Sequence, residues 1–187
     1  MEKTGVNRIA MTDIHIQPLA PSSATRTALS ELLIEAVANG GSVSFMDPLP
    51  MATAEKFWDN ALDAVARGDR VILGAFDDEL LVGTLTLVLD VAQNQPHRAE
   101  LVKMITRISH RGRGVATALL CKIEQMAVER GRWLLVLDTA SDGGAAPLYE
   151  SVGFKLAGEI PDYAFKPKGG LSGTKFYWKR LTPPAAA

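Results

Sequence analysis

The sequence predicts an α/β domain with a mixed β-sheet, and three observations carry that reading. Apolar residues recur at helical spacing within residues 29–37, 57–65 and 119–126. β-rich runs bounded by turn residues lie between and after these segments. Residues 133–137 are a continuous apolar run, the pattern of a strand buried on both faces and parallel to the strand before the third helix.

Taken in order, Ile14, Ile16, Pro18 and Leu19 suggest a short first strand. Ser22 or Ser23 can cap a helix whose apolar face is Leu29, Leu32, Leu33, Ala36 and Val37, and Asn39-Gly40-Gly41 ends it. Residues 40–50 carry no period and read as a loop. Phe57, Trp58, Ala61, Leu62 and Val65 mark a second buried stripe, stopped by Gly68. Residues 70–76 and 80–91 are strands joined by Asp77-Asp78-Glu79, a turn short enough for an antiparallel hairpin, and residues 99–108 form the next strand. The helix from Val115 presents Leu119, Ile123 and Met126 on one side, Lys122, Gln125 and Glu129 on the other, and stops at Gly131. A short helix over 145–152 and strands over 154–159 and 174–181 complete the domain, whose core spans about 14–181 with loosely held ends.

Composition narrows what such a domain can do. A net charge of -1 provides no field that would draw nucleic acid or an anionic membrane to the whole surface, so any anion site is local. The one cysteine, Cys121, leaves neither a disulfide framework nor a zinc cluster, and His15, His97 and His110 are scattered, so no metal is expected. No signal peptide is apparent, and the longest apolar runs fall short of the roughly 20 residues that cross a bilayer. The expectation is one cytoplasmic domain without membrane or nucleic-acid partners; a homodimer is compatible with it.

The local anion site is Arg111-Gly112-Arg113-Gly114-Val115-Ala116, at the start of the third helix. A helix N-terminus has N–H groups without intrahelical acceptors and a partial positive charge. Two glycines let a phosphate approach the backbone, and two guanidinium groups suit its oxygens. A P-loop would need Lys followed by Ser or Thr, and a dinucleotide fingerprint a third glycine where Thr117 stands, so neither applies.

The pattern R-x-x-G-x-A at Arg111, Gly114 and Ala116, between a strand and an amphipathic helix, resembles the pyrophosphate loop of the GNAT superfamily of N-acetyltransferases. Leu148-Tyr149-Glu150-Ser151-Val152-Gly153-Phe154 resembles the superfamily's L-Y-x-x-x-G-F. The resemblance implies a mostly antiparallel mixed sheet with a central parallel strand pair, flanked by helices. It also implies acetyl-CoA as cosubstrate, with its phosphates on Arg111 to Ala116 and its pantetheine arm along Ile105, Thr106 and Arg107. Arg107 and Ile108 depart from the usual pattern, which has an apolar residue and a proline there, and Asp142 stands where many relatives have Asn. Within the superfamily, Gly40-Gly41-Ser42-Val43-Ser44-Phe45-Met46, Arg98-Ala99-Glu100, Leu137-Asp138-Thr139 and Gly158-Glu159-Ile160-Pro161 look like the tabtoxin-resistance type, which acetylates a β-lactam toxin.

Acyl transfer to an amine needs a neutral nucleophile, a polarised carbonyl and a proton for the thiolate. By the resemblance Tyr149 is the acid near the sulfur, and Glu100 and Asp138 are the carboxylates that deprotonate the acceptor, through water. A glutamate near 4.3 is a weak base toward an ammonium near 8, a gap of about 5 kcal/mol, so either carboxylate could instead bind a cationic acceptor. Ser44, Phe45 and Met46 would lie over that acceptor. The bland alternatives are a half-buried aromatic for Tyr149, a solvated strand residue for Glu100, a cap or turn role for Asp138, and core packing for Phe45, Met46 and Cys121. The expected activity is acetyl transfer to a small amine or amino-acid-like acceptor by direct attack, the alternative being a non-catalytic acyl-CoA-binding regulatory module.

Overall fold

A computed structural model describes residues 14–183, so the expectation of loosely held ends falls almost wholly outside the described residues. Strand β1 (His15–Pro18) leads to helix α1 (Ser23–Ala38). Ser22, rather than Ser23, caps α1, its Oγ accepting the Thr25 N–H at 3.0 Å. Helix α2 (Met51–Ala66) follows the expected loop and buries Trp58, Ala61 and Leu62. Strands β2 (Arg70–Asp77) and β3 (Leu80–Val88) form the expected hairpin.

Strand β4 (Arg98–Thr106) stops two residues short of the expected end, because Ile108–His110 turn into a single 3-10 turn. Then come α3 (Val115–Glu129), β5 (Leu134–Ala140), α4 (Ala146–Ser151), β6 (Lys155–Phe165) and β7 (Leu171–Arg180). Strand β6 runs well past Glu159 and through Pro161. It is the last strand of the sheet, where a proline's missing N–H interrupts no ladder on the outer side.

Among the described residues seven strands form one sheet in the order β1-β2-β3-β4-β5-β7-β6. Only β4 and β5 are parallel; every other neighbouring pair is antiparallel. Helix α3 buries Leu119, Leu120 and Ile123 on one face of the sheet, against Leu73, Leu85, Leu101 and Leu135. Helices α1 and α2 cover the opposite face with Leu29, Leu32, Leu33 and Trp58, packed on Ile72, Leu81 and Ile105.

Strand β5 is parallel as expected but is not buried on both faces. Leu135 and Leu137 enter the core, whereas Leu134 and Val136 are half-buried and Asp138 is exposed. Of its two faces, only the one toward α3 and α4 contributes residues to a helix-packed core.

The approach of α3 to the sheet depends on a residue without a side chain. A Cβ at Gly83 on β3 would lie 2.8 Å from Val115 Cγ1 and 3.2 Å from both the Ile105 carbonyl oxygen and Leu119 Cδ1. Gly83→Val therefore forces apart the strand and the first turn of α3. It is expected to lower the unfolding free energy by about 1–3 kcal/mol, more than the ~0.4–1 kcal/mol gained by restricting the unfolded chain. Urea unfolding of both proteins measures the difference, and an unchanged midpoint would show that the helix is not held this close.

Candidate active site

The loop from Arg111 to Gly114 turns the chain from the 3-10 segment into α3. Gly112 has φ +72 and Gly114, the residue before the first helical turn, has φ +81. L side chains rarely adopt such angles, so glycine is needed at both places. Among the described residues, the N–H groups of Gly112, Gly114, Val115, Ala116 and Thr117 donate to no backbone carbonyl, and Ala118 is the first to bond back, to Gly114. These donors and the positive end of the helix dipole form a ready anion site.

The two loop arginines differ. Arg111 lines a groove of about 520 Å³ together with Gly112, Gly114, Val115 and Ala116. Arg113 lies 3.6 Å from the Asp77 carboxylate at the end of β2, and that carboxylate also takes a hydrogen bond from His110 Nε2 at 2.9 Å. Since a carboxylate only accepts, Nε2 carries the proton and Ser109 Oγ can donate to Nδ1 at 2.8 Å. Asp77, His110 and Arg113 thus fasten the loop from behind.

The groove continues along the end of β4. Arg107 N–H donates to the Val82 carbonyl at 2.8 Å, so the alternation of an antiparallel ladder turns the Thr106 peptide groups away from β3, toward β5. Among the described residues no strand occupies that side. The β4–β5 ladder covers only Arg98 to Glu100 against Leu134 to Val136, after which the two strands share no pairing. Of the three residues expected along the pantetheine arm, Thr106 lines the groove. The Ile105 side chain is buried toward α1 and α2, and the Arg107 guanidinium pairs with Glu35 of α1 at 2.6 Å and donates to the Leu81 carbonyl at 3.1 Å. Met104, absent from the sequence-based site, lines the groove beside Thr106.

Strand β4 carries a bulge. Between the pairs Thr84 with Ile105 and Thr86 with Val102, β4 has one residue more than β3, and Lys103 there adopts φ +54. Lys103 Nζ donates to Ser44 Oγ at 2.9 Å and lies 5.8 and 5.4 Å from the ring centres of Phe45 and Phe57. Burial pushes this ammonium below the ordinary lysine range; the charge of Asp138 opposes that shift and Arg70 reinforces it.

A second cavity, of about 420 Å³, opens where β5, β7 and β6 extend past the helices, and Glu100, Val102, Asp138, Tyr163, Phe176 and Trp178 are among its walls. The two candidate carboxylates therefore share one cleft, in different surroundings. Glu100 is ion-paired with Arg98 at 2.6 Å. Asp138 accepts from Thr174 Oγ1 at 3.2 Å and has no ion-pair partner within 4 Å among the described residues.

Tyr149 lies in the core behind both cavities and is 6% exposed. Its ring packs on Phe154 at 5.9 Å and on Tyr177 at 6.1 Å. Its neighbour Leu148 lines the groove and Tyr177 the cleft, but Tyr149 is part of neither wall. Burial, then the charge of Asp138, hold the phenol proton well above the ordinary tyrosine range.

Of the residues expected over the acceptor, Ser44 holds Lys103, Phe45 packs edge-on against Phe57 at 5.3 Å, and Met46 is exposed. The residues just before them, Gly41, Ser42 and Val43, line the groove. Asp142 accepts from Lys166 and, at 2.7 Å, from Ser172, which lower its pKa and tie the β5–α4 loop to the β6–β7 hairpin. The neighbouring Gly143 and Gly144, absent from the sequence-based site, also line the groove; their adjacency is the signal that could have pointed to them.

The sequence of this chain matches the profile of a known family over most of its length. The profile of the acetyltransferase (GNAT) family covers residues 35–154. The chain belongs to the acetyltransferase (GNAT) family. Human N-acetyltransferase 8B is 36% identical over 87 residues, which span 46% of this chain and 38% of that relative's length. The proposed acetyltransferase yncA of Salmonella typhimurium, solved with its cofactor acetyl-CoA, superposes with a TM-score of 0.73 at 18% identity over 91% of this chain and 96% of that one. A proposed acetyltransferase from Acinetobacter baylyi ADP1 gives 0.78 at 19% identity, over 94% and 98%. At such identities the two structures speak for the GNAT fold. Among the described residues no helix is long and apolar enough to cross a membrane.

The residues of the groove fit acetyl-CoA: the free N–H groups and Arg111 suit a pyrophosphate, and the outward-facing Thr106 peptide suits an extended amide-bearing arm. Gly114→Asp puts a carboxylate on a backbone of φ +81 at this mouth. Acetyl-CoA is expected to raise the Tm of the wild-type protein and to leave that of Gly114→Asp unchanged. Equal stabilisation of both proteins would remove the loop from the site.

Proposed function

We propose that this protein is an N-acetyltransferase that moves the acetyl group of acetyl-CoA to a small amine or amino-acid-like acceptor by direct attack. The observation that carries the reading is the placement of two cavities around one split in the sheet. The anion-binding groove runs along the open end of β4, and a carboxylate-bearing cleft opens beside it, with Tyr149 buried behind both. Acetyl-CoA supplies an activated acyl group and a thiolate leaving group. The rest falls to this chain.

Asp138 is the better placed of the two carboxylates to hold and deprotonate an ammonium, directly or through water. Glu100 is engaged by Arg98, whereas Asp138 has only a hydroxyl as partner. Glu100 with Arg98 then shapes the wall of the cleft. Tyr149 stays protonated at neutral pH and makes no hydrogen bond through its hydroxyl to any described residue, so the phenol is available as a donor to sulfur. Full transfer to a thiolate whose thiol resembles cysteine, near 8.5, runs uphill by about 1.4 kcal/mol for each unit of pKa difference. The phenol therefore acts first by a hydrogen bond to the developing charge, and an acceptor cation near Asp138 offsets the charge that holds its proton.

A cleft of about 420 Å³ suits a small acceptor. The stretches that resemble the tabtoxin-resistance type include Glu100, Asp138 and Ser44, and on that basis we place a toxin of the tabtoxinine-β-lactam kind first among acceptors to test. Release of free thiol from acetyl-CoA with a panel of amines, that toxin included, tests the activity; no release with any amine would contradict it.

Single-turnover rates test the roles. Tyr149→Phe keeps the ring packing and removes the donor, and is expected to slow transfer by ~10² to 10⁴ at saturating acetyl-CoA and acceptor. Asp138→Asn is expected to slow transfer while changing acetyl-CoA affinity by no more than about threefold. A wild-type rate in either variant would return that residue to a packing or turn role.

A further inference from the structure

Resting on the acetyl-transfer reading, the geometry points to Lys103 as an anion anchor that selects acceptors bearing a carboxylate next to the reacting amine. Lys103 is the extra residue of the β4 bulge, and its side chain runs to Ser44, Phe45 and Phe57 on the face of the sheet covered by α1 and α2. Val102, the residue before it, lines the cleft with Asp138. The ammonium has a hydroxyl at 2.9 Å and two aromatic faces as its neighbours. Among the described residues no carboxylate lies within 4 Å of it, so this half-buried cation has no ion pair of its own. Removing a charge from water is costly unless a counter-charge compensates it, and an acceptor carboxylate would supply one.

Two further features agree. Ser44, which holds the ammonium, has φ +74, an unfavourable angle for a residue with a Cβ, and such strain is retained where surrounding structure fixes a geometry. Val102, next to Lys103 in the chain, shares the cleft wall with Asp138, whose charge acts on the ammonium, so the site offers a negative and a positive group within mutual reach. That is the complement of an amino acid: its ammonium toward Asp138, its carboxylate toward Lys103. A plain amine would satisfy only the first. A purely structural Lys103 would instead support the loop of Ser44 and Phe45 regardless of what the acceptor carries.

The test compares amino acids with the amines left by their decarboxylation, so that each pair shares a side chain and differs in one charge. In the wild-type protein kcat/KM for the acid is expected to exceed that for the amine by about ten- to hundredfold, the range of a charge-assisted hydrogen bond. In Lys103→Met the ratio is expected to fall to within about threefold of one, whereas Lys103→Arg keeps a clear preference for the acid. Equal use of both members of each pair by the wild-type protein overturns the proposal while leaving acetyl transfer intact. So does a Lys103→Met variant that loses rate on both members alike. If no acceptor is acetylated, the acetyl-transfer reading fails, and calorimetric titration of the same pairs into the wild-type protein with desulfo-CoA decides Lys103 by itself. Tighter binding of the acids supports the anchor; equal binding, or none, overturns it.

Discussion

Beyond Glu100 and Val136 the two parallel strands at the centre of the sheet stop sharing hydrogen bonds, and both the groove and the cleft border that interruption. A sheet normally satisfies its own peptide groups, and a central strand with one side unpaired needs partners from elsewhere. The bulge at Lys103 accompanies the parting and bends β4 away from a regular ladder. It also exchanges the faces of the strand: Leu101 and Met104 belong to the α3 side, Ile105 to the side of α1 and α2. One inserted residue thus goes with an open strand edge and places a lysine where apolar packing would otherwise continue.

Around this opening the electrostatics centre on Asp138. Its charge holds the Tyr149 proton more firmly on one side and partly restores the Lys103 charge on the other. A carboxylate with only a threonine hydroxyl for a partner is poised to receive a cation, and a cationic acceptor would weaken its hold on the tyrosine. The groove and the cleft are therefore linked through one side chain as well as through a shared gap. The glycine loop before α3 stands apart from this centre, braced by Asp77 and His110 and set against the sheet by Gly83.

Helix faces, the β2–β3 hairpin and the glycine loop were legible in the sequence because each is a local pattern: a period, a turn or a helix start. Features that depend on distant partners were not. Arg107 reads as an odd polar residue beside a ligand arm, but its partner is Glu35, 72 residues away. Arg113 looks identical to Arg111 in the loop, yet it faces Asp77 across the structure. The bulge leaves only a weak mark in residues 99–108: Lys103 interrupts the apolar series Ala99, Leu101 and Ile105, but that a residue is inserted there follows only from the register with β3. Strand β6 runs past the expected end at Glu159 and through Pro161, which its place at the edge of the sheet permits and which no local pattern announces. Tyr149 was identified from its motif, but its burial behind both cavities was not, because the motif says nothing of Phe154 and Tyr177 closing around the ring.

The claim that the parted strands and the α3 loop together receive acetyl-CoA can be read amide by amide, by hydrogen exchange with and without the unreactive analogue desulfo-CoA. Thr106, facing the gap, and Gly114, Val115 and Ala116, which lack backbone acceptors, are predicted to gain protection together. Arg107, already bonded to Val82, is predicted to change little. Protection that left Thr106 and the loop amides untouched, or that appeared only at another surface, would contradict the account.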